Sequence, residues 1–241
     1  MRVLELFAGS RSIGKVAEAR GHEVFSVDIN NFDGIDLVKD VDELLMEDIP
    51  FCPDMVWSGT PCTTYSLAAG SHHRHPNFKP KTDFALKCDR MNIKVNHFIN
   101  EWLNVNPDLI YYIENPRAML RKMYFMQGIP RVTVWYCQYG DFRAKPTDIF
   151  SNNIGNPLFN PTGWFPRAEC KNYKYDKDGN VINKHCNHDP SMRGSNVRKL
   201  QAEGKNVKIG GTAAQKGNYE RSIYPEELCI EIIKSTENKL K

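Results

Sequence analysis

Residues 54–62 read Asp-Met-Val-Trp-Ser-Gly-Thr-Pro-Cys, a short apolar strand that ends at a glycine and presents a cysteine. Residues 108–116 repeat this arrangement with an acid, because an apolar run is followed by Glu-Asn-Pro. In an open α/β sheet, ligands bind at the carboxyl ends of the strands. Attack on an electron-poor heterocycle needs a thiolate paired with a carboxylic acid. The two stretches therefore predict Cys62 as a nucleophile and Glu114 as an acid in one site.

Strands and helices alternate along the first 150 residues, which indicates an α/β fold with a doubly wound, mainly parallel sheet. Strands are predicted over 3–7, 23–28, 35–37, 55–58, 109–113, 132–137 and 147–150. Helices are predicted over 12–20, 41–47, 82–105, 117–125 and 224–239, and a long exposed loop over 63–81.

Composition changes after residue 151. Residues 152–205 are rich in Asn, Pro, Gly and charged side chains, and they lack periodicity. We expect a small irregular insert there, with 1–151 and 206–241 forming the main domain. The net charge of +3 over 241 residues permits a nucleic-acid partner without requiring one. No apolar run approaches the length of a membrane span.

The first turn, residues 7–14, reads Phe-Ala-Gly-Ser-Arg-Ser-Ile-Gly and joins a strand to a helix. Its small residues let the backbone approach a ligand, and the amides at the start of the helix face that ligand. Asp28 ends the next strand about 20 residues further on, where an acid typically binds ribose hydroxyls. Asp40 is a candidate contact on the adenine side. The turn lacks the three spaced glycines of a dinucleotide fingerprint, so a purely structural turn is the alternative.

The other candidate residues also have structural alternatives. A free cysteine usually packs as a small hydrophobe, and an acid at a strand end often caps the next helix. Arg143 and Lys145 follow a late strand, where they would stabilise an anion or form a solvated basic turn. We predict no metal site, because the paired Cys-x-x-Cys spacing of a strong zinc site is missing. The clusters considered for zinc are Cys170, His185, Cys186 and His188 in the insert and His72, His73 and His75 in the loop.

Taken in order, these segments resemble the DNA cytosine-5 methyltransferases. The matching segments are Leu-Phe-Ala-Gly at 6–9, Gly14, Asp28, the run 59–70 that begins Gly-Thr-Pro-Cys, Asp-Arg at 89–90, Glu-Asn at 114–115, Gly-Asn at 217–218, and 221–229. The sequence departs from the family at Pro116, where a valine is usual. It also departs at Arg143-Ala144-Lys145, which stands near the place of a Gln-x-Arg-x-Arg block.

The resemblance implies a Rossmann-like fold that binds S-adenosylmethionine, with 152–205 in the place of a target-recognition region. It implies methyl transfer to carbon 5 of a flipped cytosine in double-stranded DNA, with Cys62 as the covalent nucleophile and Glu114 on the base edge. Asn115 would hold the same loop, and Arg143 or Lys145 would bind the base carbonyl or a phosphate. Cofactor contacts are expected from Phe7, Ala8, Gly9, Ser10, Ser12, Ile13, Asp28, Ile29, Asp40, Gly59, Pro61, Asn218 and Ser222.

Three alternatives stay open. The same chemistry serves cytosine-5 methylation of RNA, since only contacts to the 2′-hydroxyl distinguish the two nucleic acids. The fold could also serve as a non-catalytic module that binds DNA or cofactor, or as a small-molecule methyltransferase. The odd number of seven cysteines favours reduced thiols, and we expect a cytoplasmic monomer. A bacterial or phage-encoded restriction-modification role fits the resemblance.

Overall fold

A seven-stranded sheet with the strand order β3-β2-β1-β4-β5-β7-β6 forms the centre of the protein. The computed structural model describes residues 1–67, 69–141, 143–170, 204 and 217–241. The strands are β1 Arg2–Leu6, β2 Glu23–Asp28, β3 Leu37–Val38, β4 Met55–Gly59, β5 Ile110–Pro116, β6 Arg131–Trp135 and β7 Pro146–Ser151. Neighbouring strands from β3 to β5 are parallel, whereas β7 runs antiparallel to both β5 and β6.

Helices cover both faces of this sheet. They are α1 Ser12–Ala19, α2 Gly70–His73, α3 Asp83–Val105, α4 Asn218–Arg221 and α5 Glu226–Lys239. Single 3₁₀ turns occur at Met46–Asp48, Thr63–Tyr65, Leu120–Lys122, Tyr124–Met126 and Tyr136–Tyr139.

The two faces carry separate hydrophobic cores, because successive side chains of a strand point to opposite sides. On β4, Val56 packs in the core that α3 completes with Val95 and Trp102. Trp57, the next residue, packs in the core that α1 and α5 complete, the latter through Ile232. The doubly wound, mainly parallel sheet predicted from the sequence is therefore confirmed.

Two predicted helices are wrong. Residues 41–47 form a turn and part of a 3₁₀ turn, because the Asp40 carboxylate accepts the amide of Asp42 and bends the chain there. Residues 117–125 contain two 3₁₀ turns. Their backbone amides donate to other segments of the protein, as Arg117 does to the Pro146 carbonyl and Met119 to the Tyr65 carbonyl.

The segment 63–81 also differs from the exposed loop that was predicted. It contains a 3₁₀ turn and α2, and its Arg74 is 2% exposed. The Arg74 guanidinium donates to both carboxylate oxygens of Asp89 on α3, over 2.7 and 3.1 Å. A buried ion pair thus ties this segment to the sheet domain.

The start of the predicted insert packs against the main unit, since Trp164 belongs to the core beside α5. Its remaining part, including His185, Cys186 and His188, lies outside the described residues, so the division at 152–205 stays a prediction. Within the described ranges, no group of three or more His, Cys, Asp or Glu side chains is placed to hold a metal ion. No described helix is both long and apolar enough to cross a membrane.

Candidate active site

A cavity of about 380 Å³ opens where the parallel strands end. Cys62 and Glu114 both line it, although they are 52 positions apart in the sequence. The sheet register explains the meeting, because Gly59 at the end of β4 pairs with Glu114 on β5. Cys62 follows three residues after Gly59 and is exposed to the cavity and solvent.

Hydrogen bonds fix the loop that carries Cys62. The side-chain amide of Asn115 donates to the Thr60 carbonyl over 3.1 Å. In return, the Thr60 hydroxyl donates to the backbone carbonyl of Glu114 over 3.4 Å. Asn115 does not line the cavity, so its contribution is to hold the loop.

Glu114 is a buried acid surrounded by hydrogen-bond donors. Tyr136 donates to its Oε1 over 3.0 Å and Tyr224 to its Oε2 over 3.4 Å. The Lys145 Nζ lies 3.8 Å from Oε1. Burial raises the pKa of the Glu114 carboxyl above its ordinary value, while Lys145 and the two tyrosines partly oppose that rise. A carboxyl group in this setting can hold a proton closer to neutral pH.

The two late basic residues are placed differently. Lys145 lines the cavity. Arg143 is buried but is not among the described residues that line the cavity. Its guanidinium bonds both carboxylate oxygens of Asp141 at 3.0 Å and reaches the Ile223 carbonyl at 3.4 Å. The guanidinium is therefore paired with Asp141, only two residues away in the sequence. Lys145 remains the candidate for contact with a nucleobase.

The other end of the cavity has the chemistry expected for an adenosine. Asp28 at the end of β2 accepts the Gly9 amide over 3.0 Å and the Asn30 amide over 2.8 Å. Gly9 has φ of +51°, a conformation that glycine adopts without strain. The carboxylate of Asp28 keeps room for a further donor such as a ribose hydroxyl, since a carboxylate offers about four lone-pair sites and three are used.

Apolar side chains wall the cavity beside these acids. They are Phe7, Ile29, Val41, Phe84 and Met91. Flat adenine rings suit such walls, and Asp40, which also lines the cavity, can accept a hydrogen bond from an amino group. The carboxylate acceptors, the apolar walls and the volume therefore fit S-adenosylmethionine.

The predicted cofactor contacts other than Asn218 divide into two sets. Those that line the cavity are Phe7, Asp28, Ile29, Asp40, Gly59, Pro61 and Ser222. The other set belongs to the first turn and the start of α1 and does not line the cavity. It consists of Ala8, Gly9, Ser10, Ser12 and Ile13. Ser222 closes over that turn, because its Oγ accepts the Ser10 amide over 2.8 Å. Asn218 lies in α4, and its side chain is outside the described residues.

Sequence reasoning missed several residues of this site. Tyr136, Tyr224, Lys87 and the α3 side chains Phe84 and Met91 were not predicted. One signal was available for Tyr136, since it directly follows β6, whose carboxyl end lies at the edge where Glu114 lies. The α3 residues recur at helical spacing, and that pattern indicates only a buried face.

Comparisons with known proteins agree with the fold. No family model matches the sequence, and no curated protein matches it. Among solved structures, the Entamoeba histolytica methyltransferase EhMeth matches with a TM-score of 0.53 and 13% identity, over 100% of this chain and 99% of that chain. The structural neighbours are methyltransferases, and the fold is that of a Rossmann-like methyltransferase.

Two further structures match more weakly. A putative DNA modification methyltransferase encoded within prophage Cp- of E. coli has a TM-score of 0.44 and 16% identity, over 70% of this chain and 52% of that one. A mutant of Spodoptera frugiperda DNMT2 has a TM-score of 0.42 and 16% identity, over 69% and 55%. This chain spans about half the length of these two proteins, and the conclusion about fold rests on EhMeth alone.

Proposed function

We propose that this chain transfers a methyl group from S-adenosylmethionine to carbon 5 of cytosine in double-stranded DNA. The observation that carries the proposal is that Cys62 and Glu114 line one cavity whose far wall offers Asp28 and Asp40. A nucleophile, an acid and an adenosine-like pocket are the three parts that this reaction needs. The net charge of +3 is compatible with a polyanionic partner.

The cofactor would lie between the first turn and α3. Asp28 would accept the ribose hydroxyls, Phe7 and Ile29 would flank the adenine, and Asp40 would accept its amino group. When bound, S-adenosylmethionine supplies an electrophilic methyl group on a sulfonium. Gly59 and Pro61, at and just after the end of β4, would lie between the cofactor and the cytosine.

Cys62 would begin the reaction at the base. Carbon 5 of cytosine is a poor nucleophile while the ring is aromatic. The Cys62 thiolate adds to carbon 6, which forms an S–C bond and moves an electron pair toward N3 and the ring carbonyl. Carbon 5 then has enamine character and would form a bond to the methyl group while the methyl–sulfonium bond breaks, with S-adenosylhomocysteine as the leaving group.

Glu114 would stabilise the charge that develops on the base. Its raised carboxyl pKa allows it to donate a hydrogen bond or a proton at N3, and Lys145 stands beside it for the ring carbonyl. Water or another base then removes the proton from carbon 5. The electron pair of that C–H bond re-forms the C5–C6 double bond and expels the Cys62 thiolate. A proton that N3 has received returns to the Glu114 carboxylate, so the enzyme returns to its starting state.

The test combines transfer and trapping. Purified protein is given S-adenosylmethionine with a labelled methyl group and either duplex DNA or RNA, and the digested product is identified by mass spectrometry. We expect 5-methylcytosine in DNA, none with Cys62→Ser, and a covalent complex with DNA that contains 5-fluorocytosine. Cys52→Ser is the control, because Cys52 is half-buried in the core on the α3 side. Methylcytosine formed by Cys62→Ser overturns the mechanism, and methylated RNA in place of DNA overturns the substrate.

A further inference from the structure

Two tyrosine hydroxyls hold the carboxyl group of Glu114, one on each oxygen. Tyr136 donates to Oε1 over 3.0 Å, and Tyr224 donates to Oε2 over 3.4 Å. Tyr136 is fully buried, Tyr224 is 6% exposed and Glu114 is 4% exposed. Water therefore has little access to the far side of the carboxyl group, and the tyrosines take its place.

The two tyrosines are themselves rigidly placed. Tyr136 begins the 3₁₀ turn after β6, and Lys145 Nζ lies 4.6 Å above the centre of its ring. Tyr224 packs edge-on against Trp57 with the ring centres 5.1 Å apart, and its backbone amide donates to Ser12 Oγ over 3.1 Å. A side chain at Gly59 would collide with the Tyr224 hydroxyl, so the glycine at the end of β4 leaves the space that this hydroxyl occupies.

The surroundings of Glu114 make both tyrosine hydroxyls the donors in these hydrogen bonds. Burial and the neighbouring Glu114 raise the pKa of both tyrosine hydroxyls well above the ordinary value, so both remain protonated and can donate. Among the described residues, the cation Lys145 faces Glu114 and lowers its pKa, whereas the anion Asp148 on β7 raises that pKa. Asp148 is in turn paired with Arg121.

We propose that Tyr136 and Tyr224 are positioning residues for the methyl transfer, which orient the Glu114 carboxyl so that its acidic proton faces N3 of the cytosine. This inference rests on the proposed function. The tyrosines act through Glu114, and their hydroxyls also stabilise the carboxylate that Glu114 becomes when it gives a proton to the base. Removing one hydroxyl would loosen the carboxyl at one of its oxygens and would raise its pKa further, because each hydroxyl lowers that pKa.

The variants are Tyr136→Phe and Tyr224→Phe, which keep the ring packing and remove one hydroxyl each. The matched control is Tyr112→Phe on β5, since Tyr112 is also fully buried and its hydroxyl bonds Thr236 Oγ1 at 3.0 Å and Asn153 Nδ2 at 2.9 Å. It lies in the α5-side core and does not line the cavity. All three variants therefore lose a buried hydrogen bond, and only two of them lose a bond to Glu114.

For each variant we would measure kcat and KM for duplex DNA, the pH profile of kcat, and the titration of Glu114 by ¹³C NMR of glutamate-labelled protein, assigned with Glu114→Gln. We expect kcat to fall about tenfold for Tyr136→Phe and for Tyr224→Phe, the size of one hydrogen bond to a charged group. The high-pH limb, where an acid loses its proton, should move to higher pH. Tyr112→Phe should change neither kcat nor the profile.

The NMR measurement separates this inference from the proposed function. If wild-type protein transfers no methyl group to cytosine, the proposed function fails. A raised Glu114 pKa in both Phe variants would still support the hydrogen-bonded arrangement around Glu114. If both variants behave like Tyr112→Phe in kcat, pH profile and Glu114 titration, the inference is overturned. Should Tyr224→Phe fail to fold, Tyr136→Phe alone decides between these outcomes.

Discussion

The side-chain amide of Asn115 donates to the Thr60 carbonyl over 3.1 Å and joins the end of β5 to the loop that carries Cys62. The same nitrogen lies 3.2 Å from the Thr60 hydroxyl oxygen. Glu114 directly precedes Asn115. Glu114 faces the cavity, and Asn115 holds the loop that brings Cys62 to the same cavity. The distance between nucleophile and acid is set by this link as well as by the sheet.

Asn115→Ala should therefore impair methyl transfer more than its effect on stability explains. Loss of the bond leaves the buried Thr60 carbonyl without this partner, which costs about 1–3 kcal/mol of unfolding free energy. Asn153→Ala is the control, because Asn153 is equally buried and its amide donates to Tyr112, outside the cavity. We expect similar urea midpoints for the two variants and a fall in kcat for Asn115→Ala only. Equal kcat values would show that the link has no role in the reaction.

Removing Arg74 should unfold the segment that follows Cys62 or destabilise the whole domain. Arg74→Met leaves Asp89, which is 7% exposed, as a buried charge that has lost its ionic partner. Breaking one side of a buried ion pair costs about 3–5 kcal/mol. The same guanidinium also donates to the Thr64 carbonyl over 2.9 Å, two residues beyond Cys62.

The control for Arg74→Met is Arg90→Ala. Arg90 follows Asp89 on α3, but its side chain is half-exposed and pairs with Asp42 at the surface. Such a surface pair contributes about 0–1 kcal/mol. Urea unfolding followed by circular dichroism should separate the two variants by more than about 2 kcal/mol. A loss for Arg74→Met no larger than for Arg90→Ala would contradict the assigned role of the buried pair.

Asp28→Asn should weaken cofactor binding. The charged carboxylate accepts the Gly9 amide over 3.0 Å and is the expected acceptor for the ribose, so a neutral amide weakens both interactions. We expect at least a tenfold rise in the Kd of S-adenosylhomocysteine by calorimetry, about 1.4 kcal/mol. Asp36→Asn is the control, because Asp36 accepts the Ser26 amide over 2.7 Å and does not line the cavity. An unchanged Kd for Asp28→Asn would remove Asp28 from the cofactor site.

The sheet and the two central site residues, Cys62 and Glu114, could be predicted because short stretches of sequence indicate them. Cys62 and Glu114 each end an apolar run, and parallel strands bring such ends to one edge without any knowledge of packing. Tyr136 and Tyr224 could not be predicted in the same way. They are 88 positions apart in the sequence, and each meets Glu114 only after the sheet and α5 have packed.

The failed helix predictions have the same origin. The run 117–125 has the composition of a helix, but the amides of Arg117 and Met119 find carbonyl partners in two distant segments. Similarly, Arg74 looks solvated in sequence because its partner Asp89 is 15 positions away. Tertiary hydrogen bonds override local preference at such places, and a single sequence does not contain the signal.

Glu5 on β1 should make the stability of the protein depend on pH. It is fully buried and accepts the Ile13 amide over 3.2 Å and the Gly14 amide over 3.0 Å. Burial raises the pKa of its carboxyl to about 7 despite those two bonds and the charge of Arg11. The folded protein therefore holds this proton up to about pH 7, whereas the unfolded chain releases it near pH 4.5.

Between those two values the folded state binds more protons, so the unfolding free energy falls as the pH rises. The loss attributable to Glu5 is about 3 kcal/mol across the interval. Glu5→Gln should remove this slope, whereas Glu23→Gln, at an exposed position on β2, should retain it. Urea unfolding of the three proteins from about pH 4.5 to pH 7.5 measures the difference. Parallel stability curves for wild type and Glu5→Gln would mean that Glu5 is already ionised in the folded protein, with the helix amides and Arg11 outweighing its burial.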